Sequence, residues 1–206
     1  ALFEAVDELV REMPEAQRPK LVVFGESLGS FGGEAPFLAL NNLVARTDGA
    51  LFSGPTFQNT IWTDLTRTRD PGSPQWLPIY DNGENVRFAA EPDNLNRPAD
   101  AWGTPRAVYL QHASDPIAWW NPDLLFKKPD WLREKRGYDV LSSMEWIPGG
   151  TFLQVSADMA VAVDLPDGHG HRYVKDTVNA WASILAPPRW TPEKTERLRP
   201  MLHADD

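Results

Sequence analysis

Ser27 stands in Gly25-Glu26-Ser27-Leu28-Gly29, directly after the apolar run Leu21-Val22-Val23-Phe24. A serine hydroxyl is a poor nucleophile until a base takes its proton and a carboxylate orients that base. A β-branched run, a Gly-x-Ser-x-Gly turn and a tail of small residues together expose such a serine between a strand and a helix. Glycine is expected on both sides, because a Cβ at 25 or 29 would meet the strand and helix passing close by. The chemistry this arrangement serves is acyl transfer through serine, to water or to another acceptor.

Base and carboxylate are sought past the carboxyl ends of strands, where open α/β sheets gather functional groups. After Ala107-Val108-Tyr109-Leu110-Gln111 comes His112-Ala113-Ser114-Asp115-Pro116. After Met159-Ala160-Val161-Ala162-Val163-Asp164 comes Leu165-Pro166-Asp167-Gly168-His169-Gly170-His171-Arg172-Tyr173. Serine, aspartate and histidine thus follow three expected strands in that order. His112 shares a loop with the candidate acid and is the weakest base. The amide of Leu28 is the candidate oxyanion donor, and no upstream segment offers the second. Trp62 and Trp119, near the ends of the second and third expected strands together with Trp120, are candidates for lining a substrate pocket. The competing role for them is anchoring the core.

Other readings of these residues stay open. Asp115 before Pro116 suits a turn carboxylate capping the backbone. His169 and His171 suit a His-x-His metal pair, but no third ligand stands at a suggestive spacing, so no metal or other cofactor is expected. Gly25 to Gly33 has neither the Lys-Ser/Thr of a P-loop nor the dinucleotide glycine spacing.

The elements needed to position these groups are legible in outline. Apolar residues at 2, 3, 6, 9, 10 and 13 predict a helix over 1–13, and Pro14 and Pro19 separate it from the strand at Leu21. A helix is expected from about Pro36 to Ala45, and a buried strand at Ala50-Leu51-Phe52-Ser53. The Pro-rich stretch 55–105 is expected to hold a hairpin turning at Asp81-Asn82-Gly83. Residues 107–111 and 159–164 read as the third and fourth strands. Val174 to Leu185 reads as a helix with Val178, Trp181 and Leu185 inward, and Thr191-Pro192 as the start of another. The fold class is α/β, a mostly parallel sheet flanked by helices.

At 206 residues, 42% hydrophobic and 24% charged, the chain is most simply one globular domain. Its net charge of −9 argues against a nucleic-acid partner. No cysteine is present, which excludes disulfides and thiolate chemistry. No stretch reaches the roughly 20 apolar residues of a membrane span, and Ala1-Leu2-Phe3-Glu4-Ala5 is no secretory signal.

The Ser…Asp…His order with a Gly-Glu-Ser-Leu-Gly elbow resembles the α/β-hydrolase fold. Gly-Glu-Ser-Leu-Gly-Ser-Phe-Gly-Gly together with Gly-His-Gly-His-Arg-Tyr resembles the α/β-hydrolase domain of certain actinobacterial integral membrane proteins, over about Leu21 to Leu185. The resemblance implies Ser27 as nucleophile, Asp115 as acid and His171 as base. His171 is preferred to His169 because Gly170 frees its backbone and because it lies nearer the following helix. The resemblance further implies a lipid or acylated envelope glycolipid ester as substrate, and membrane attachment through a preceding segment. Acyl transfer to an alcohol, or a non-catalytic binding domain on the same scaffold, remain as alternatives. Only 20 residues precede Leu21, too few for a complete strand and its crossover. The chain is therefore expected to be the C-terminal part of a larger protein whose sheet has further strands on the N-terminal side.

Overall fold

The computed structural model describes residues 2–202. Four parallel strands, β1 (Val22–Glu26), β2 (Gly49–Ser53), β3 (Val86–Ala89) and β4 (Arg106–Leu110), form one sheet in the order β1-β2-β4-β3. Glu26 pairs with Ser53, and Ser53 with Leu110. The carboxyl ends of β1, β2 and β4 are therefore level, and the loops after them meet at one end of the sheet.

The side chains of the central strands alternate between two layers, as the period of two requires. Ala50 and Phe52 of β2 and Ala107 and Tyr109 of β4 face a large apolar cluster with Phe37, Leu43, Trp62 and Trp119. Leu51, Val108 and Leu110 face the other way, onto Ala180 and Ile184. Helices cover both faces: α1 (Leu2–Glu12), α2 (Leu28–Glu34), α3 (Leu40–Arg46), α4 (Thr60–Arg67), α5 (Pro116–Trp119), α6 (Gly150–Asp158), α7 (Val174–Leu185) and α8 (Pro192–Leu198). The expected class, α/β with a parallel sheet between helices, is what the chain adopts.

Several local expectations change. Residues 159–164 are not a strand. They continue α6 as a 3-10 turn over Met159–Val161, and of the six only Ala162 is buried. The fourth strand is β3, hidden in the sequence by an arginine at its centre. Arg87 is buried because its guanidinium donates to the carbonyls of Leu95 (2.7 Å) and Asp100 (2.8 Å) and stacks 4.5 Å from the Trp102 ring. Asp81-Asn82-Gly83 does turn with positive φ at each residue, but no hairpin forms. Both oxygens of Asp70 accept the amides of Asp81 and Asn82, holding the preceding segment as a loop, and β3 pairs in parallel with β4.

Residues 28–34 are helical although three of the seven are glycines of low helix propensity, Gly29, Gly32 and Gly33. Gly33 is there for closeness, since a Cβ would lie 2.9 Å from the Phe52 ring. The helix expected from Pro36 begins at Leu40. α1 forms as predicted, but Leu2, Val6 and Leu9 are exposed; Phe3 against Phe37 and Asp7 against Arg46 tie it down. In α7, Val178 is buried as expected, with Ala180 and Ile184, while Trp181 and Leu185 are only partly covered.

Candidate active site

Ser27 joins β1 to α2 with φ 54° and ψ −124°, a conformation that costs a non-glycine residue free energy unless its surroundings hold it. They do hold it. Its amide donates to the Ser53 carbonyl (2.9 Å), and its carbonyl accepts from the amide (2.9 Å) and hydroxyl (2.6 Å) of Ser30. Gly25 is required: a Cβ there would stand 2.2 Å from the Gly29 carbonyl oxygen. The expectation for Gly29 fails in its stated form, because a Cβ there would meet nothing outside its own helix. What the elbow needs from position 29 is its backbone, over which only a glycine at 25 can pass. The Leu28 amide opens α2, where the first amides of a helix have no carbonyl one turn back.

Asp115, fully buried in the loop that follows β4, caps α5 with Oδ1, which accepts the Ile117 amide at 2.8 Å. Its Oδ2 accepts from His171 Nδ1 at 2.7 Å and from the Tyr173 hydroxyl at 2.6 Å. Capping and pairing, alternatives in the sequence, are divided between two oxygens of one carboxylate. Burial and the Asp115 charge push the Tyr173 phenol well above its ordinary pKa, so it stays a donor.

His171 is nine-tenths buried. It does not follow a strand; Gly170, at φ 54°, and the bond from the His171 amide to the Ala162 carbonyl (2.9 Å) carry it into the sheet end. Its Cε1 edge lies on Gly54: a Cβ added there would be 2.3 Å from that atom. Gly54 follows Ser53, the residue that accepts the Ser27 amide, so the imidazole sits beside the elbow. Its Nε2 is buried and has no hydrogen-bond partner among the described residues, and no Ser27–His171 bond is formed. Catalytic hydrogen bonds are often long without substrate. Burial lowers the His171 pKa, but the bond to Asp115, the charge of Asp115 and that of Glu26 outweigh it, and the net shift is upward.

The other two histidines among the described residues, His169 and His112, have different surroundings. The His169 side chain is half-exposed, 3.9 Å from Asp139 and against Tyr138, and does not reach Asp115. His112 is buried, stacks 4.4 Å from the Tyr173 ring, and its Nδ1 lies 2.8 Å from the Gly170 carbonyl oxygen, which makes it a support of the His171 loop. A second tie is parallel to the first: Asp139 accepts from the hydroxyl and amide of Ser114, and the Ser114 hydroxyl accepts the Gly170 amide at 2.9 Å.

Trp62 and Trp119 are buried with ring centres 5.7 Å apart. Their indole N–H groups donate to the Gln111 side chain (2.6 Å) and the His112 carbonyl (2.9 Å), so both brace the loop carrying Asp115. Both also line a cavity of about 260 Å³. A second, of about 500 Å³, runs from Asp115 and Trp119 to Val155. Ser27 and His171 line neither. Among the described residues no group of three His, Cys, Asp or Glu side chains is arranged to hold a metal, and no helix is long and apolar enough to cross a membrane.

Sequence reading missed Tyr173 as a partner of Asp115 and Gly54 as the seat of His171. The signals were an aromatic hydroxyl two residues beyond the histidine and a glycine just past β2. A model of the alpha/beta-hydrolase family matches residues 1–198. No curated protein and no solved structure matches the chain.

Proposed function

The chain belongs to the alpha/beta-hydrolase family, and from that premise we propose that it is a serine esterase working through Ser27, His171 and Asp115. The observation that carries the proposal is the shared oxygen of Asp115. It orients a buried histidine whose other nitrogen is unpartnered beside the strained serine turn.

In the proposed reaction Ser27 Oγ attacks the ester carbonyl carbon as His171 Nε2 takes the hydroxyl proton. The carbonyl oxygen gains the negative charge and is met by the Leu28 amide. Asp115 stabilises the imidazolium and keeps Nδ1 protonated. The tetrahedral intermediate collapses, the C–O bond to the alcohol breaks, and the Nε2 proton goes to the departing oxygen. Water then attacks the acyl-enzyme, gives a proton to Nε2, and the acid leaves as Ser27 is re-protonated. Trp62 and Trp119 wall the cavity that receives part of the ester. A lipid or acylated glycolipid ester at a membrane surface is the substrate class that the family resemblance supports.

The test is hydrolysis of short-chain p-nitrophenyl esters. Wild type should turn over and Ser27→Ala should lose activity on the order of a millionfold, as removal of a triad nucleophile does elsewhere, with an unchanged thermal transition. Equal turnover by the two would end the proposal.

A further inference from the structure

We infer that the cavity walled by Trp62, Trp119 and Trp131 is a binding site for a small phosphorylated sugar. Trp119 is the middle of three rings, with centres 5.7 Å from Trp62 and 6.4 Å from Trp131. The first two are locked by their indole bonds to Gln111 and to the His112 carbonyl, so their planes are set before any ligand arrives. Only 4–6% of each tryptophan is accessible, so the rings present a narrow, fixed aromatic wall, and such a wall suits the C–H groups of one sugar ring. About 260 Å³ lies below the roughly 300–1,000 Å³ of sites for drug-sized ligands, which favours one ring over a nucleotide. Thr63 and Gln75 add a hydroxyl and an amide to the wall.

The charge of the cavity identifies the rest of the ligand. In a chain of net charge −9, it is lined by Arg67, Arg69, Lys127 and Lys128 against the carboxylates of Asp123 and Asp130. Arg69 is committed to Asp130 and Glu134. Arg67 and Lys127 hold only exposed partners, Asp64 and Asp123, and such pairs contribute little. Lys128 is half-buried, and among the described residues it has neither ion pair nor hydrogen bond. Its ammonium is therefore not engaged by the described residues and is open to an arriving anion. Lysine as a point charge and arginine as a fork both suit phosphate.

The link to turnover rests on the serine-esterase reading. Because Trp119 is tied to the carbonyl of His112, the cavity adjoins the loop carrying Asp115, and a phosphorylated sugar would be the alcohol part of the ester. The binding itself is measured without turnover. Tryptophan fluorescence of the full chain is titrated with glucose 6-phosphate, with glucose and inorganic phosphate as separate arms. A saturable change is expected with glucose 6-phosphate, at lower concentration than with either component alone. Added salt should weaken it, and Lys128→Gln should weaken it about tenfold, the value of one charged hydrogen bond. Arg67→Gln, exposed and safe for folding, should weaken it less, and Ser27→Ala should bind like wild type. The absence of saturation, binding unchanged in both Lys128→Gln and Arg67→Gln, or glucose alone binding as well would overturn the site. Whether Ser27 reacts is a separate measurement, so the two readings can fail independently.

Discussion

Oδ2 of Asp115 lies 2.7 Å from Nδ1 of His171, across 56 positions of sequence, and the same oxygen accepts the hydroxyl of Tyr173. One buried carboxylate thus fixes the histidine tautomer that leaves Nε2 free to act as a base.

A protonated His171 cannot accept the Ser27 proton, and its pKa is raised above the ordinary value of 6.5. Activity should therefore fall on acidification at a higher pH than an unperturbed histidine would give. Asp115→Asn removes the group that raises it, so the acid limb of the kcat/KM profile should move down. Turnover should fall about ten-thousandfold, as loss of the orienting carboxylate does elsewhere. An acid limb unmoved in Asp115→Asn would show that another group is titrating.

Tyr173→Phe separates orientation from packing. The phenol draws charge from Asp115, so its loss strengthens the hold of the carboxylate on the imidazolium and should raise the His171 pKa. The acid limb should move to higher pH. A purely structural tyrosine would change the melting temperature and leave the limb in place.

Gly54→Ala is expected to fail twice. A side chain at φ 56° costs about 1–2 kcal/mol in the left-handed region, and the new methyl would occupy the His171 ring position. Activity should drop far more than stability. Near-wild-type kinetics in this variant would mean that the imidazole does not need its seat on Gly54.

The two loop histidines should separate clearly. His171→Ala should cost orders of magnitude in turnover and His169→Ala much less, since His169 faces Asp139 and Tyr138 instead of Asp115. The reverse order would exchange their roles.

The strained turn at Ser27 and the pairing of Asp115 with His171 were legible because each residue sits in a local pattern: glycines around Ser27, Asp before Pro116, Gly170 before His171. Three strands and α7 were legible from apolar runs. The strand β3 was not, because the bonds that let Arg87 lie inside a sheet come from carbonyls at positions 95 and 100. Nor was the helical course of 159–161, whose Ala- and Val-rich composition fits a strand or the end of α6 equally until the partners are known. Tyr173 and Gly54 matter through contacts 58 residues away with Asp115 and across the sheet end with His171, and a tyrosine two residues past the histidine or a glycine just past β2 does not by itself name those partners.

The most direct measurement is reaction of the wild-type chain with a fluorophosphonate, followed by peptide mapping of the adduct. A single phosphonyl group on Ser27, absent in Ser27→Ala and much slower to form in His171→Ala, is the predicted result. Labelling retained in Ser27→Ala, or an adduct mapped to another residue, would contradict the account.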